Sequence, residues 1–174
     1  MKKLALALLV LCATACATWK PVTAVAVMEP RSDSQARGTV TFTELERGGV
    51  AVKLDLTGVP EGVHGFHVHE KGDCSAPDGT SAGPHFNPHG MQHAGPADVE
   101  RHAGDFGNVV ASADGTVKSQ LVMSGISLKE GAADSALGRG LILHAKRDDL
   151  TTQPTGDAGG RIACGVVTLT GGAK

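Results

Sequence analysis

Two histidines stand two positions apart at His67 and His69, with Val68 between them and Phe66 before them. The alternation of apolar and imidazole side chains is typical of a β-strand, on which residues i and i+2 point to the same face. Both imidazoles should therefore share one face, while Phe66 and Val68 face the core. Two imidazoles side by side on a rigid strand form half of a site for copper or zinc. The pattern alone is weak, because most such pairs lie on solvated strand faces.

The segment that follows, residues 70–104, shows no sustained period of a strand or a helix and is rich in Gly, Pro, His and Asp. Its polar side chains, together with the residue that follows it, include His85, His89, His93, His102 and Asp105. A loop with so little apolar matter cannot bury enough surface to order itself. A bound metal would cross-link it and supply the missing free energy. The alternative is a floppy histidine-rich loop that binds metal opportunistically.

The elements that must position these side chains are predicted to be strands. Short runs of alternating apolar and polar residues recur along the chain, separated by turn signals such as Gly48-Gly49 and Asp114-Gly115. A second long loop is expected over residues 145–161. Eight such runs favour an antiparallel barrel or sandwich. The runs are residues 22–27, 38–43, 50–56, 64–69, 108–112, 116–122, 141–144 and 164–169.

Length and charge limit the classes of function. The chain has 174 residues, enough for one domain with a core, and its formal net charge is −2. Nucleic-acid binding needs a basic patch or stripe, and the sequence shows none. We therefore expect no nucleic-acid partner.

The beginning of the chain has the pattern of a secretory signal peptide. Lys2 and Lys3 form a positive start, residues 4–11 form a short apolar run, and small residues precede Cys16. The run is shorter than the ~20 residues that a membrane-spanning helix needs. A Cys at the cleavage point resembles a bacterial lipobox, so Cys16 is predicted to be lipidated and to anchor the protein to a membrane. The alternative is ordinary cleavage beside an incidental Cys. The expected segments are a signal peptide (1–15), a tether (16–21) and the domain (22–174).

Two cysteines remain in the exported domain after Cys12 leaves with the signal peptide and Cys16 takes lipid. They are Cys74 and Cys164. Two cysteines in an oxidising compartment imply one disulfide.

Five blocks of sequence together resemble the copper,zinc superoxide dismutases, in the order and with the spacing of that family. The blocks are GFHVHEKGDC at 65–74, SAGPHFNP at 81–88, HAGPADVERHAGD at 93–105, HAKRDDL at 144–150 and GGRIACGVV at 159–167. The resemblance extends over residues 22–171. It implies an all-β fold: an eight-stranded antiparallel Greek-key β-barrel or sandwich with two long functional loops.

The resemblance also implies a ligand set for one copper and one zinc ion per subunit. Copper would be held by His67, His69, His85 and His144. Zinc would be held by His85, His93, His102 and Asp105, so that His85 bridges the two metals. Two histidines match no ligand position: His89 is expected to be a solvated loop residue, with weak auxiliary metal binding as the alternative, and His64 a surface residue at the start of its strand.

Further roles follow from the same resemblance. Asp148 would link a copper histidine to a zinc histidine by hydrogen bonds, Arg161 would hold the anionic substrate, and Thr155 would narrow the channel opposite it. Cys74 and Cys164 match the family disulfide. The implied activity is dismutation of superoxide to dioxygen and hydrogen peroxide, with His85 taking part in proton transfer. The alternative is a non-enzymatic copper- or zinc-binding relative.

The placement of Cys74 resembles that of the bacterial exported members. The implied location is the periplasm or cell envelope, with the lipid anchor at a membrane. A homodimer is one assembly that the resemblance implies, and the surface through which it would form is left open.

Overall fold

In a computed structural model of the chain, residues 19–171 are described. The predicted signal peptide (residues 1–15) and the predicted lipidation site Cys16 lie outside them. Among the residues that are described, no helix has the length and apolar character needed to cross a bilayer.

Nine antiparallel strands and one short 3-10 turn make up the regular structure of residues 19–171. The prediction of an all-β fold is therefore confirmed. The strands are β1 (Thr23–Pro30), β2 (Arg37–Glu44), β3 (Val50–Thr57), β4 (Gly62–His69), β5 (Asp105–Ala111), β6 (Val117–Met123), β7 (Gly140–His144), β8 (Arg161–Val166) and β9 (Thr168–Gly171), and the turn is Thr80–Ala82.

Eight strands follow one another in the order β5-β4-β7-β8-β1-β2-β3-β6, and β9 pairs with β1 outside this path. Neighbours that are distant in sequence, such as β4 beside β7 and β3 beside β6, give the sheet the crossovers of a Greek key. The barrel-like arrangement of eight antiparallel strands agrees with the prediction. The last predicted strand is divided in two at Val167, which is fully buried and exchanges hydrogen bonds with residues 138 and 139.

Strand β4 positions the first two candidate ligands. Phe66 and Val68 belong to the hydrophobic core, as the alternation predicts. His67 and His69 are also fully buried, although residues at these positions face the other side of the strand. That side is covered by the two long loops, because Val68 exchanges backbone hydrogen bonds with Phe86 and Gly104 and the Gly65 N–H donates to the Lys146 carbonyl.

The prediction that His64 is a surface residue is wrong. Its side chain is buried, and its ring nitrogens lie 2.8 Å from the carbonyl oxygens of His144 and Pro60. On β4, position 64 has the same parity as Phe66 and Val68. It therefore faces inward with them and ties the end of β7 to the β3–β4 turn.

Candidate metal centre

The first group of candidate ligands lies on the neighbouring antiparallel strands β4 and β7, beside the 70–104 loop. His67 and His69 come from β4, His144 is the last residue of β7, and His85 forms an isolated β-bridge with His69. All four are buried, and one ring nitrogen of each lies within 4.8 Å of the others. The structure thus brings together the four residues assigned to copper by resemblance.

The second group consists of His85, His93, His102 and Asp105, the first residue of β5. Three Nδ1 atoms converge on Asp105 Oδ1, at 2.8 Å from His85, 3.0 Å from His93 and 3.3 Å from His102. The edges of a tetrahedron with zinc–ligand bonds of ~2.0 Å measure about 3.3 Å. The second oxygen, Oδ2, accepts from the backbone N–H groups of Ala94 and His102, so Oδ1 faces the cluster.

His85 belongs to both groups. Its Nδ1 faces Asp105 Oδ1, and its Nε2 is buried with no hydrogen-bond partner in the described part of the chain. An imidazole with one nitrogen in each group can join two metal ions, which is the geometry that the resemblance implies for His85.

Hydrogen bonds to the outer ring nitrogens fix the tautomers of the other ligands. His69 Nδ1 and His144 Nδ1 lie 2.8 and 3.1 Å from the carbonyl oxygens of Gly83 and Gly159. A carbonyl oxygen can only accept, so both Nδ1 atoms carry protons and both Nε2 atoms present lone pairs to the cluster.

Within residues 19–171, six buried ring nitrogens have no hydrogen-bond partner, and all six point into these two groups. Buried polar atoms without partners cost free energy, and metal ions would satisfy every one of them. The residues therefore fit a pair of metal ions. The six atoms are His67 Nδ1, His69 Nε2, His85 Nε2, His93 Nδ1, His102 Nδ1 and His144 Nε2.

The charges of the metal-free groups also suit metal binding. Burial holds the pKa values of His69 and His144 well below the usual range, and it lowers the pKa of His85 to about 4, so these ligands are neutral. Burial lowers the pKa of His93 too, but its interactions with the carboxylates of Asp105 and Asp148 outweigh burial and raise that pKa to about 9. The two carboxylates that favour a positive charge at His93 would also favour a metal cation beside it.

Asp148 connects the two groups, as the resemblance implies. Its Oδ2 lies 2.7 Å from His67 Nε2 and its Oδ1 lies 3.0 Å from His93 Nε2. Burial alone would raise the pKa of Asp148, yet the hydrogen bonds from His67 and His93 hold it well below the usual range. The ionised carboxylate therefore accepts from both rings and turns their Nδ1 atoms toward the cluster.

Three supporting residues were missed by sequence reasoning. The Asn108 side chain makes two hydrogen bonds to the backbone of Asp148: its Oδ1 accepts from the Asp148 N–H at 2.8 Å, and its Nδ2 donates to the Asp148 carbonyl at 2.9 Å. Gln153 contacts the backbone of His93 in the same way: its Oε1 accepts from the His93 N–H at 2.8 Å, and its Nε2 donates to the His93 carbonyl at 2.7 Å. Gly156 packs against both Asp148 and His93. All three join segments distant in sequence, so no local pattern marks them.

Replacing Gly156 with alanine is expected to disrupt the Asp148 connection. The added methyl group would overlap Asp148 Oδ1 and would lie 2.6 Å from Asp148 Cγ and 2.7 Å from His93 Nε2. Loss of such outer hydrogen bonds typically weakens metal binding by about 10- to 100-fold. Competitive titration with a chelator measures this change.

The matched control for this substitution is Gly131→Ala. Gly131 has φ +75° against +70° at Gly156, but a methyl group there would meet nothing within 4 Å. Both substitutions place an alanine in the left-handed region of backbone conformation, which lowers the stability of each variant by about 1–2 kcal/mol. Equal metal affinities in the two variants would contradict the role given to Asp148.

Arg161, the first residue of β8, lies directly across from His144 in the sheet. Its Nη1 donates to the Gly79 carbonyl at 2.8 Å and its Nη2 to the Gly83 carbonyl at 2.7 Å. The Gly83 oxygen also accepts from His69 Nδ1, so one carbonyl orients both Arg161 and a candidate ligand. Burial lowers the pKa of Arg161 and nearby Asp78 opposes the shift, but an arginine remains charged.

A disulfide joins Cys74 to Cys164, as predicted, with 5.8 Å between the Cα atoms. It fastens the 70–104 loop to β8, three residues after Arg161.

Thr155 lines a cavity of about 400 Å³. The same cavity is also lined by His85, His102, Pro154 and Arg139. His89 is exposed.

Comparison with known proteins agrees with the fold. The family model described as copper/zinc superoxide dismutase matches residues 36–167, most of the chain. A crystal structure of the clock protein EA4 is similar, with 42% sequence identity and a TM-score of 0.78. The match covers 86% of this chain and 96% of that chain.

Proposed function

The chain belongs to the copper/zinc superoxide dismutase family, and we propose that it dismutates superoxide and so protects the cell envelope from oxidative damage. Two superoxide anions and two protons give one dioxygen and one hydrogen peroxide. The site must therefore attract an anion, exchange one electron with each of two substrate molecules and deliver protons.

The donor sets favour copper in the first group and zinc in the second. Four imidazoles suit Cu(II), and three imidazoles with one carboxylate suit Zn²⁺. We therefore propose that His67, His69, His85 and His144 hold copper, and that His85, His93, His102 and Asp105 hold zinc. Copper, when bound, supplies the one-electron redox chemistry, whereas zinc has no redox chemistry.

The protein's own residues would supply the remaining functions. Among the described residues, His85 Nε2 has no hydrogen-bond partner, so it could hold a proton and donate it to the peroxide product. His85 Nδ1 would remain in the second group, beside Asp105. Arg161 supplies a fixed positive charge beside His144 and His69 and would hold the incoming anion. Thr155 is proposed to limit the width of the approach.

The observation that carries this proposal is the union of two complete donor groups through His85, with Arg161 across from His144. The test is superoxide consumption by protein loaded with both metals. Metal content must be measured on the same sample. A fully loaded but inactive protein would overturn the proposal.

A second candidate function is metal binding without catalysis. One observation favours this second function: the structurally similar clock protein EA4 is not named as a dismutase. In a non-enzymatic metal carrier, replacing Arg161 would leave the function unchanged, whereas a dismutase would lose rate.

We also propose that the protein is exported and anchored to a membrane of the cell envelope by lipid at Cys16. The disulfide supports an oxidising compartment. The tether leads into Thr23 at the start of β1, and Arg31, just past the end of β1, bonds to Ile162 beside Arg161. The eight residues of β1 span roughly 23 Å, so its first residue, near the anchor, and its last residue, near Arg161, lie at opposite ends of the barrel. We therefore propose that the end with Arg161 faces away from the membrane.

Mass spectrometry of the mature N-terminus tests the anchor. We expect a diacylglyceryl-modified Cys16 as the first residue. A chain that begins elsewhere, or at an unmodified Cys16, would contradict it. The homodimer stays a prediction, and light scattering of the purified protein measures it.

A further inference from the structure

Arg31 lies just after β1 and holds the loop that carries the disulfide. Its Nε and Nη2 both donate to the Cys74 carbonyl, at 3.0 and 2.6 Å. Its own backbone N–H donates to the Ile162 carbonyl at 2.9 Å. The side chain is 15% exposed. One residue thus fastens the β8 backbone, next to Arg161, to the loop at Cys74.

The neighbouring Ser32 extends this contact. Its N–H donates to the Pro77 carbonyl at 2.9 Å, and its hydroxyl donates to the Arg161 carbonyl at 3.0 Å. Residues 31 and 32 therefore bond to the start of β8 and to the segment 74–77. That segment leads directly to Gly79 and Gly83, whose carbonyls fix the Arg161 guanidinium.

Gly79 lies where the two arginines meet. A methyl group on its α-carbon would lie 3.2 Å from Arg161 Cβ and 3.7 Å from Arg31 Cγ. Both aliphatic stems therefore pack on the same glycine, whose φ of +71° is readily adopted only without a side chain. A shift of Arg31 would be passed to the carbonyl of Gly79 and so to Arg161.

We propose that Arg31 is a positioning residue for Arg161 and that it sets the affinity of the site for small anions. This inference rests on the proposed function only for its consequence for catalysis. Arg31 acts through its two-pronged hydrogen bond rather than through its charge. Glu29 Oε2 lies 3.8 Å from Arg31 Nη2 and offsets part of that charge. Only a guanidinium can make both bonds, because a lysine ammonium lacks the planar fork.

Three variants test the proposal: Arg31→Lys, Arg31→Met and the control Arg37→Met. The control removes an exposed arginine whose side chain, among the residues that the structure describes, bonds only to Gln35. Azide, which absorbs light when it binds Cu(II), reports anion affinity in the copper- and zinc-loaded protein. Alkylation and mass spectrometry follow the reduction of the disulfide by dithiothreitol.

Both Arg31 variants should bind azide about three- to tenfold more weakly, as expected for the loss of hydrogen bonds worth about 1 kcal/mol. Both should also lose the disulfide faster, and the rate with superoxide well below saturation should fall in proportion to azide affinity. Arg37→Met should match the original protein. Rescue by Arg31→Lys would show a role for charge alone and would overturn the proposal, as would unchanged azide affinity in both variants.

These readouts separate two kinds of failure. If the loaded original protein fails to consume superoxide but the Arg31 variants still bind azide weakly, the proposed function is wrong and the positioning role stands. If the original protein is active and all three variants bind azide equally, the positioning role is wrong and the proposed function stands.

Discussion

Replacing Arg161 with glutamine should lower the second-order rate of superoxide consumption by about tenfold or more, because a local positive charge can raise association rates by 10- to 1,000-fold. The substrate is an anion and the chain carries a formal net charge of −2, so capture depends on local charge. Arg161 is held by two carbonyls beside His69 and across from His144. Pulse radiolysis of the metal-loaded variant measures the rate.

Two controls accompany this substitution. Arg161→Lys retains the charge but cannot bond to both carbonyls in the same way, so its rate should lie between those of Arg161→Gln and the original protein. Arg37→Gln removes an equal charge at an exposed position and should have little effect. The original rate should also fall with added salt more steeply than that of Arg161→Gln. Equal rates and equal salt dependence in all variants would show that Arg161 does not capture the substrate.

Removal of both metals should lower the melting temperature by about 10 °C. Six buried ring nitrogens lack partners without metal. A ligand present at 1,000 times its Kd stabilises a fold by about 4 kcal/mol, and for a domain of this size each kcal/mol corresponds to roughly 2–4 °C. The 70–104 loop contributes three of the zinc-group histidines, so it should lose most order. Calorimetry with and without a chelator measures the shift.

Two histidine variants show whether the change in melting temperature depends on the proposed metal ligands. His89→Ala changes an exposed residue of the same loop and should keep the full shift. His102→Ala removes one ligand of the second group and should lose zinc together with most of the difference between loaded and chelated protein. An unchanged melting temperature after complete removal of metal would contradict the view that metal orders the loop.

Strand alternation accounts for most of the fold and the first part of the site. The two-residue spacing of His67 and His69 predicts a shared face, because it depends only on local backbone geometry. The histidines and Asp105 of the irregular segment predict metal binding. The partition into two groups came from the resemblance, since residues as distant as His69 and His144 meet only through the pairing of β4 with β7.

The errors and omissions have physical causes. The expectation that His64 lies at the surface rests on its place at the start of a strand and leaves out its parity with Phe66, which indicates an inward direction. Arg31, Asn108 and Gly156 could not be identified, because their roles depend on the approach of distant segments. Arg31 meets a carbonyl 43 residues away, and Asn108 meets one 40 residues away.

The central claim is that the two donor groups and Arg161 form a catalytic site for superoxide. The most direct measurement is the rate of superoxide consumption by mature protein shown to contain one copper and one zinc ion per chain. The account predicts a rate approaching the ceiling of about 10⁸–10⁹ M⁻¹s⁻¹ known for superoxide dismutases as a class, and its loss when copper alone is withheld. Full occupancy of both metals without acceleration over the spontaneous reaction would contradict it.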